Sequence, residues 1–124
     1  MKDPTRVIAA SLLAIALIPA VAFAHRRATK TERAAILAAV VKQGQLSSAQ
    51  AACQAVTIST VNQQYAATTW PRKLSRACQR VAANGVIIEH KTAGRWKFVA
   101  AGSSFQCPIK GVPSRVAGDL GVCP

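Results

Sequence analysis

The chain has 124 residues, with 16 Lys and Arg against 4 Asp and Glu, 4 Cys and a formal net charge of +12. That length holds one domain and is too short for a multi-part active site with its own cofactor-binding fold. An apolar content of 51% excludes a disordered, charge-rich tail, although much of that content lies before His25.

Lys2 and Arg6 precede an uncharged, mostly apolar run from Val7 to Val21, and Ala22-Phe23-Ala24 closes it with small residues at the two positions a signal peptidase reads. This is the pattern of a secretory signal over residues 1–24, leaving a single domain over 25–124. The alternative is an uncleaved anchor: the run from Val7 to Ala24 is just long enough to span a bilayer, though Pro19 would bend it. Arg26 and Arg27 directly after the site resist translocation. No Cys lies near the site, which excludes a lipoprotein anchor.

Beyond Ala24 lie 14 of the 16 basic residues and only Glu32, Glu89 and Asp119, a net charge of +11. The basicity therefore belongs to the folded product and implies attraction to anionic partners. The plain alternative is solubility with loose adhesion to any polyanion.

Cys53, Cys78, Cys107 and Cys123 all follow the signal, and an even number in a short exported chain reads as two disulfides. None lies close enough to another in sequence for a zinc site. Of the three connectivities, Cys53–Cys78 and Cys107–Cys123 are favoured; each closes a loop of moderate length and contributes roughly 3 kcal/mol.

His25 to Lys30 reads as a basic lead. Thr29 and Glu32 form a capping box, and Ile36, Leu37, Val40 and Val41 make one apolar stripe on a helix stopped by Gly44. Gln45 to Gln50 is a polar connector. Strands follow over Ala55–Thr60 and Tyr65–Trp70, with Val61–Gln64 as the turn and Pro71 as the stop. Asn84-Gly85 marks another turn, and Gly85–Lys91 and Arg95–Ala101 flank Thr92-Ala93-Gly94 as a hairpin. A three-residue loop pairs Lys91 with Arg95, which sets Glu89 across from Lys97 and puts Val86, Ile88 and His90 on one face with Trp96, Phe98 and Ala100. Pro113 opens a short helix carrying Val116, Ala117 and Leu120, stopped by Gly121. The expected fold is α+β: an N-terminal helix, a four-stranded antiparallel meander and a short C-terminal helix.

The segments Gly85–Lys91, Gly94–Val99, Gly102-Ser-Ser-Phe-Gln-Cys-Pro, Gly111-Val-Pro and Asp119-Leu-Gly-Val-Cys resemble small exported actinobacterial proteins of unassigned function. The resemblance implies secretion and a compact disulfide-linked unit, and supplies no catalytic residues. The helix-plus-meander order is similar to cystatin-like folds, which host inhibitors, transport factors and binding modules.

The chemistry of the side chains argues against an enzyme. Glu32 caps a helix, Glu89 faces Lys97, and Asp119 is a surface charge on the last helix, so no two carboxylates converge. Glu89 and His90 are adjacent on a strand and point to opposite faces, which excludes a dyad. His90 sits beside Trp96 at the core margin, and Ser103-Ser104 lacks the context of an activated nucleophile. No cofactor is expected. A remote metal reading joins the amine and imidazole of His25, freed by signal cleavage, to His90 in a copper site.

The clearest surface feature is basic. If Arg72 to Val81 is helical, Arg72, Arg76 and Arg80 fall on one face and, with Lys73, form a ridge able to grip carboxylates or phosphates. The alternative is a solvated charge run beside Cys78. Nucleic acid would also want exposed aromatics, and only Trp70 is near, since Trp96 and Phe98 are assigned to the core. An amphipathic membrane-active helix fails on the Ala-rich first helix, so a membrane enters only through an uncleaved signal. These features point to a secreted, monomeric, non-catalytic binding module for an anionic envelope polymer or a secreted protein, or to an inhibitor-like protein directed at an exported enzyme.

Overall fold

The computed structural model describes residues 25–124, and the signal-like segment over 1–24 lies outside the described residues. In chain order the elements are β1 (Arg26–Arg27), α1 (Lys30–Lys42), α2 (Ser48–Ala51), β2 (Ala55–Ile58), β3 (Tyr65–Thr69), α3 (Arg76–Val81), β4 (Val86–Thr92), β5 (Arg95–Gly102) and α4 (Ser114–Asp119). The strands form one antiparallel sheet in the order β1-β2-β3-β4-β5. The class is α+β as expected, but the sheet has five strands rather than four. The added strand comes from the basic lead, where Arg26 pairs with Ile58 and Arg27 with Thr57. Two residues are too few to show an alternating pattern, and their pairing uses backbone groups alone.

α1 begins and ends where its residues dictate. The Thr29 hydroxyl accepts from the Glu32 N–H while the Glu32 carboxylate accepts from the Thr29 N–H, a reciprocal cap. Gly44, at φ 75°, follows the last turn. A second capping box, Ser47 with Gln50, turns the expected polar connector into the single turn of α2.

Both faces of the sheet are covered. On one, Ile36, Leu37 and Val40 of α1 pack on Val56, Ile58, Ala66, Ile87 and Trp96. On the other, Ile109, Val112, Val116, Ala117 and Leu120 of the C-terminal segment pack on Tyr65, Ala67 and Ile88. Each large aliphatic chain so buried contributes roughly 1.5–3 kcal/mol. The two covering layers are each stapled: Cys53–Cys78 ties the end of α2 to α3, and Cys107–Cys123 closes the C-terminal segment. These are the favoured pairings.

The hairpin register differs from expectation. Thr92 pairs with Arg95, so the turn has two residues, Ala93 and Gly94. Near the turn every partner shifts by one: Lys91 faces Trp96, His90 faces Lys97, and Glu89 faces Phe98. An irregularity between Ile88 and Glu89 then sets Ile88 opposite Ala100. The expected Glu89–Lys97 pair does not form. Trp96 is buried on the α1 face beside Ile87, whereas Phe98, expected in the core, is 41% exposed.

Candidate functional site

All three carboxylate side chains of the described residues are either paired or buried. Glu32 is engaged by Arg26, whose Nη1 donates to Oε1 at 2.7 Å and Nη2 to Oε2 at 2.8 Å. That guanidinium, with the Thr29 backbone N–H, holds the Glu32 carboxyl down at about 2. Among the described residues this is the sole ion pair.

Asp119, expected on the surface, is buried. Its Oδ2 accepts from the Ser59 hydroxyl at 2.6 Å and the Thr60 N–H at 2.7 Å, and Oδ1 accepts from the Thr60 hydroxyl at 3.2 Å. Burial alone would raise its pKa, but the bonds from Ser59, Thr60 and Val61 outweigh that and lower it. Asp119 thus ties α4 to the turn between β2 and β3. Sixty residues of separation from Ser59 hid this role.

Glu89 is fully buried beneath α1, with neither carboxyl oxygen hydrogen-bonded. The Gln43 amide beside it is directed chiefly to β5, its Nε2 donating to the Trp96 carbonyl and its Oε1 accepting from the Phe98 N–H. Burial pushes Glu89 up to about 7, with Gln43 opposing only in part. Near neutral pH this carboxyl is half protonated and offers the surface nothing.

The basic residues are left facing outward. Arg72, Lys73, Arg76 and Arg80 are all exposed, but they do not form one helical ridge. Ser75 caps α3, its hydroxyl accepting from the Cys78 N–H, so the helix starts at Arg76. Arg76 and Arg80 stand one turn apart on α3, while Arg72 and Lys73 lie in the preceding loop. The helix buries no residue fully; the Cys53–Cys78 disulfide and a bond from Gln50 Nε2 to the Val81 carbonyl hold it.

A second basic cluster has no contiguous sequence motif because two elements far apart in the chain, α1 and β5, compose it. Lys42 and Gln43 at the end of α1, with Arg95, Trp96 and Lys97 of β5, line a cleft of about 440 Å³. Its only sequence signal is the density of Lys and Arg around Gly94.

The groups considered for catalysis or metal are not assembled. His25 Nδ1 lies 2.9 Å from the Asp119 carbonyl, and the His90 ring stacks on Tyr65 at 4.1 Å, across the sheet from Trp96. The strands β2 and β3 intervene between these histidines, which at about 4.8 Å per strand sets their backbones roughly 14 Å apart. The two histidines thus have separate partners, the Asp119 carbonyl and the Tyr65 ring. Among the described residues no three His, Cys, Asp or Glu side chains converge. Ser103 and Ser104 are exposed and have no hydrogen-bonded base, and all four cysteines are in disulfides. Among the described residues no helix is long and apolar enough to cross a membrane. No family model, curated protein or solved structure matches the chain.

Proposed function

We propose that this protein is a secreted, non-catalytic binding module that engages an anionic partner at the cell envelope. One observation carries the reading: every carboxylate side chain of the described residues is paired or buried, while the basic groups of α3 and its loop stand exposed and unopposed. Surface charge without local counter-charge acts on whatever anion approaches. Two disulfides with no free cysteine suit an oxidising, extracytoplasmic environment. The six-residue α3, held by a disulfide rather than by a core, supports Arg76 and Arg80 as the gripping surface, with Arg72 and Lys73 beside them.

The test is retention on an anionic polymer matrix over rising salt, for the wild type and an Arg72→Ala/Lys73→Ala/Arg76→Ala/Arg80→Ala variant. Exposed ionic contacts are worth roughly 0.3–1 kcal/mol each, so loss of four weakens binding by about tenfold or more at low salt. The difference closes as salt shortens the screening length. Equal retention of both proteins at every salt concentration refutes the assignment to this surface. Retention of a single secreted protein at high salt, indifferent to the substitutions, selects the inhibitor-like alternative.

A further inference from the structure

β5 is the open edge of the sheet. It runs for eight residues with β4 on one side only, whereas the opposite edge, β1, has two residues. An edge strand of this length leaves a row of outward backbone groups for another chain to meet, unless something covers them. Here the cover is one side chain. Gln43 Nε2 donates to the Trp96 carbonyl at 3.0 Å, and the Phe98 N–H donates to Gln43 Oε1 at 2.7 Å. A neighbouring strand in parallel register would make the same pair of bonds, the N–H and C=O of a single residue bridging the carbonyl of one residue and the N–H of the residue two further on. The Gln43 amide therefore stands where a sixth strand would place the N–H and C=O of one residue. Gln43 is itself exposed, at the C-cap of α1, so the stand-in can leave at the cost only of the partial support it gives the buried Glu89 carboxyl.

The surroundings define what replaces it. Lys42, Arg95 and Lys97 line the cleft with no carboxylate among its walls. Phe98 offers an exposed apolar ring on the same strand. A second copy is a poor occupant, because pairing two such edges sets Arg95 and Lys97 against like charges.

We propose that the β5 edge binds an extended acidic peptide segment of another exported protein, whose backbone displaces the Gln43 amide from Trp96 and Phe98. The segment's carboxylates meet Lys42, Arg95 and Lys97, and an apolar side chain covers Phe98. Hydrogen bonds are exchanged nearly one for one, so charge and the Phe98 contact supply the selectivity. The inference rests on the anionic-partner reading but places it on a surface separate from Arg72–Arg80.

The test uses a capped peptide of alternating Glu and Val and the same peptide N-methylated at alternate residues, which keeps its charge and removes backbone donors. Binding is followed by amide NMR of the wild-type protein. The unmethylated peptide is expected to perturb the Trp96–Phe98 amides and bind at least tenfold more tightly than the methylated one. Lys97→Glu weakens it severalfold, Gln43→Ala tightens it severalfold, and the Arg72/Lys73/Arg76/Arg80 variant leaves it unchanged. Equal binding of the two peptides, or no binding, overturns the proposal. Loss of binding in the four-site variant with none in Lys97→Glu also overturns it, while leaving the α3 surface in place. The wild-type spectra decide the matter even if Gln43→Ala does not fold.

Discussion

Glu89 puts an ionisable carboxyl between the sheet and α1 with neither oxygen hydrogen-bonded, and this makes stability depend on pH near neutrality. Burial lifts the group from an ordinary value of 4.5 to about 7 in the folded protein. The folded state therefore keeps a proton that the unfolded chain releases, and the associated stability is complete below about pH 4.5 and is lost as pH rises through about 7. At 1.36 kcal/mol per unit the loss is up to about 3 kcal/mol. Asp119 and Glu32 act in the opposite sense. Their lowered values mean that the stability they contribute is present above the ordinary carboxylate range and lost as pH falls through their folded values. Maximum stability is expected on the mildly acidic side of neutrality. Glu89→Gln, neutral at every pH, is expected to match the wild type near pH 4.5 and exceed it at pH 8. Urea midpoints at the two pH values check this, and parallel behaviour of the two proteins would refute it.

At the scale of elements, the β4–β5 hairpin shows what was legible and what was not. Its existence followed from two apolar strands around a glycine, but its register did not. Thr92 reads as a loop residue, and Ala93 is a poor candidate for a two-residue turn that needs positive φ at both positions. Ala93 nevertheless adopts φ 51° beside Gly94 at 75°. The usual arbiter of register is one apolar face, and here it is lost because both faces of the sheet are covered: Ile87, Ile88 and Glu89 are buried consecutively. The Glu89–Lys97 pair was a plausible but false signal for the same reason. Cystine pairing, the α1 cap and the basic character of residues 72–80 were legible because each is local or compositional. The Asp119 network and the Gln43 cover were not, since each joins residues more than 50 positions apart. The strain at Ala93 is testable. Ala93→Gly removes a left-handed penalty of about 1 kcal/mol or more at some cost in unfolded-state entropy, so a net gain of about 0.5 kcal/mol is expected by chemical denaturation. A loss of stability would show that the turn is not strained.

For the molecule as a whole, two thin layers on a five-stranded sheet divide a small core in two, and the two disulfides serve different parts of the molecule. The links are not equivalent. Cys53–Cys78 closes 25 residues and anchors α3, which has no fully buried residue. Cys107–Cys123 closes 16 residues around Ile109, Val112, Val116 and Ala117, the apolar lid over Tyr65 and Ile88. Chain-entropy arguments assign both about 3 kcal/mol, but packing separates their consequences. Replacing Cys53 and Cys78 by Ser is expected to lower stability by that amount while keeping the core closed, and to weaken polymer retention as Arg76 and Arg80 lose their fixed spacing. Replacing Cys107 and Cys123 by Ser releases the lid, so an apolar dye that binds exposed core surface should fluoresce with this variant and not with the other. Retention on the anionic matrix should then hold, because α3 stays anchored to α2. Dye binding by both variants alike would mean that the two layers unfold as one unit, and the division of labour between core and cationic surface would not stand.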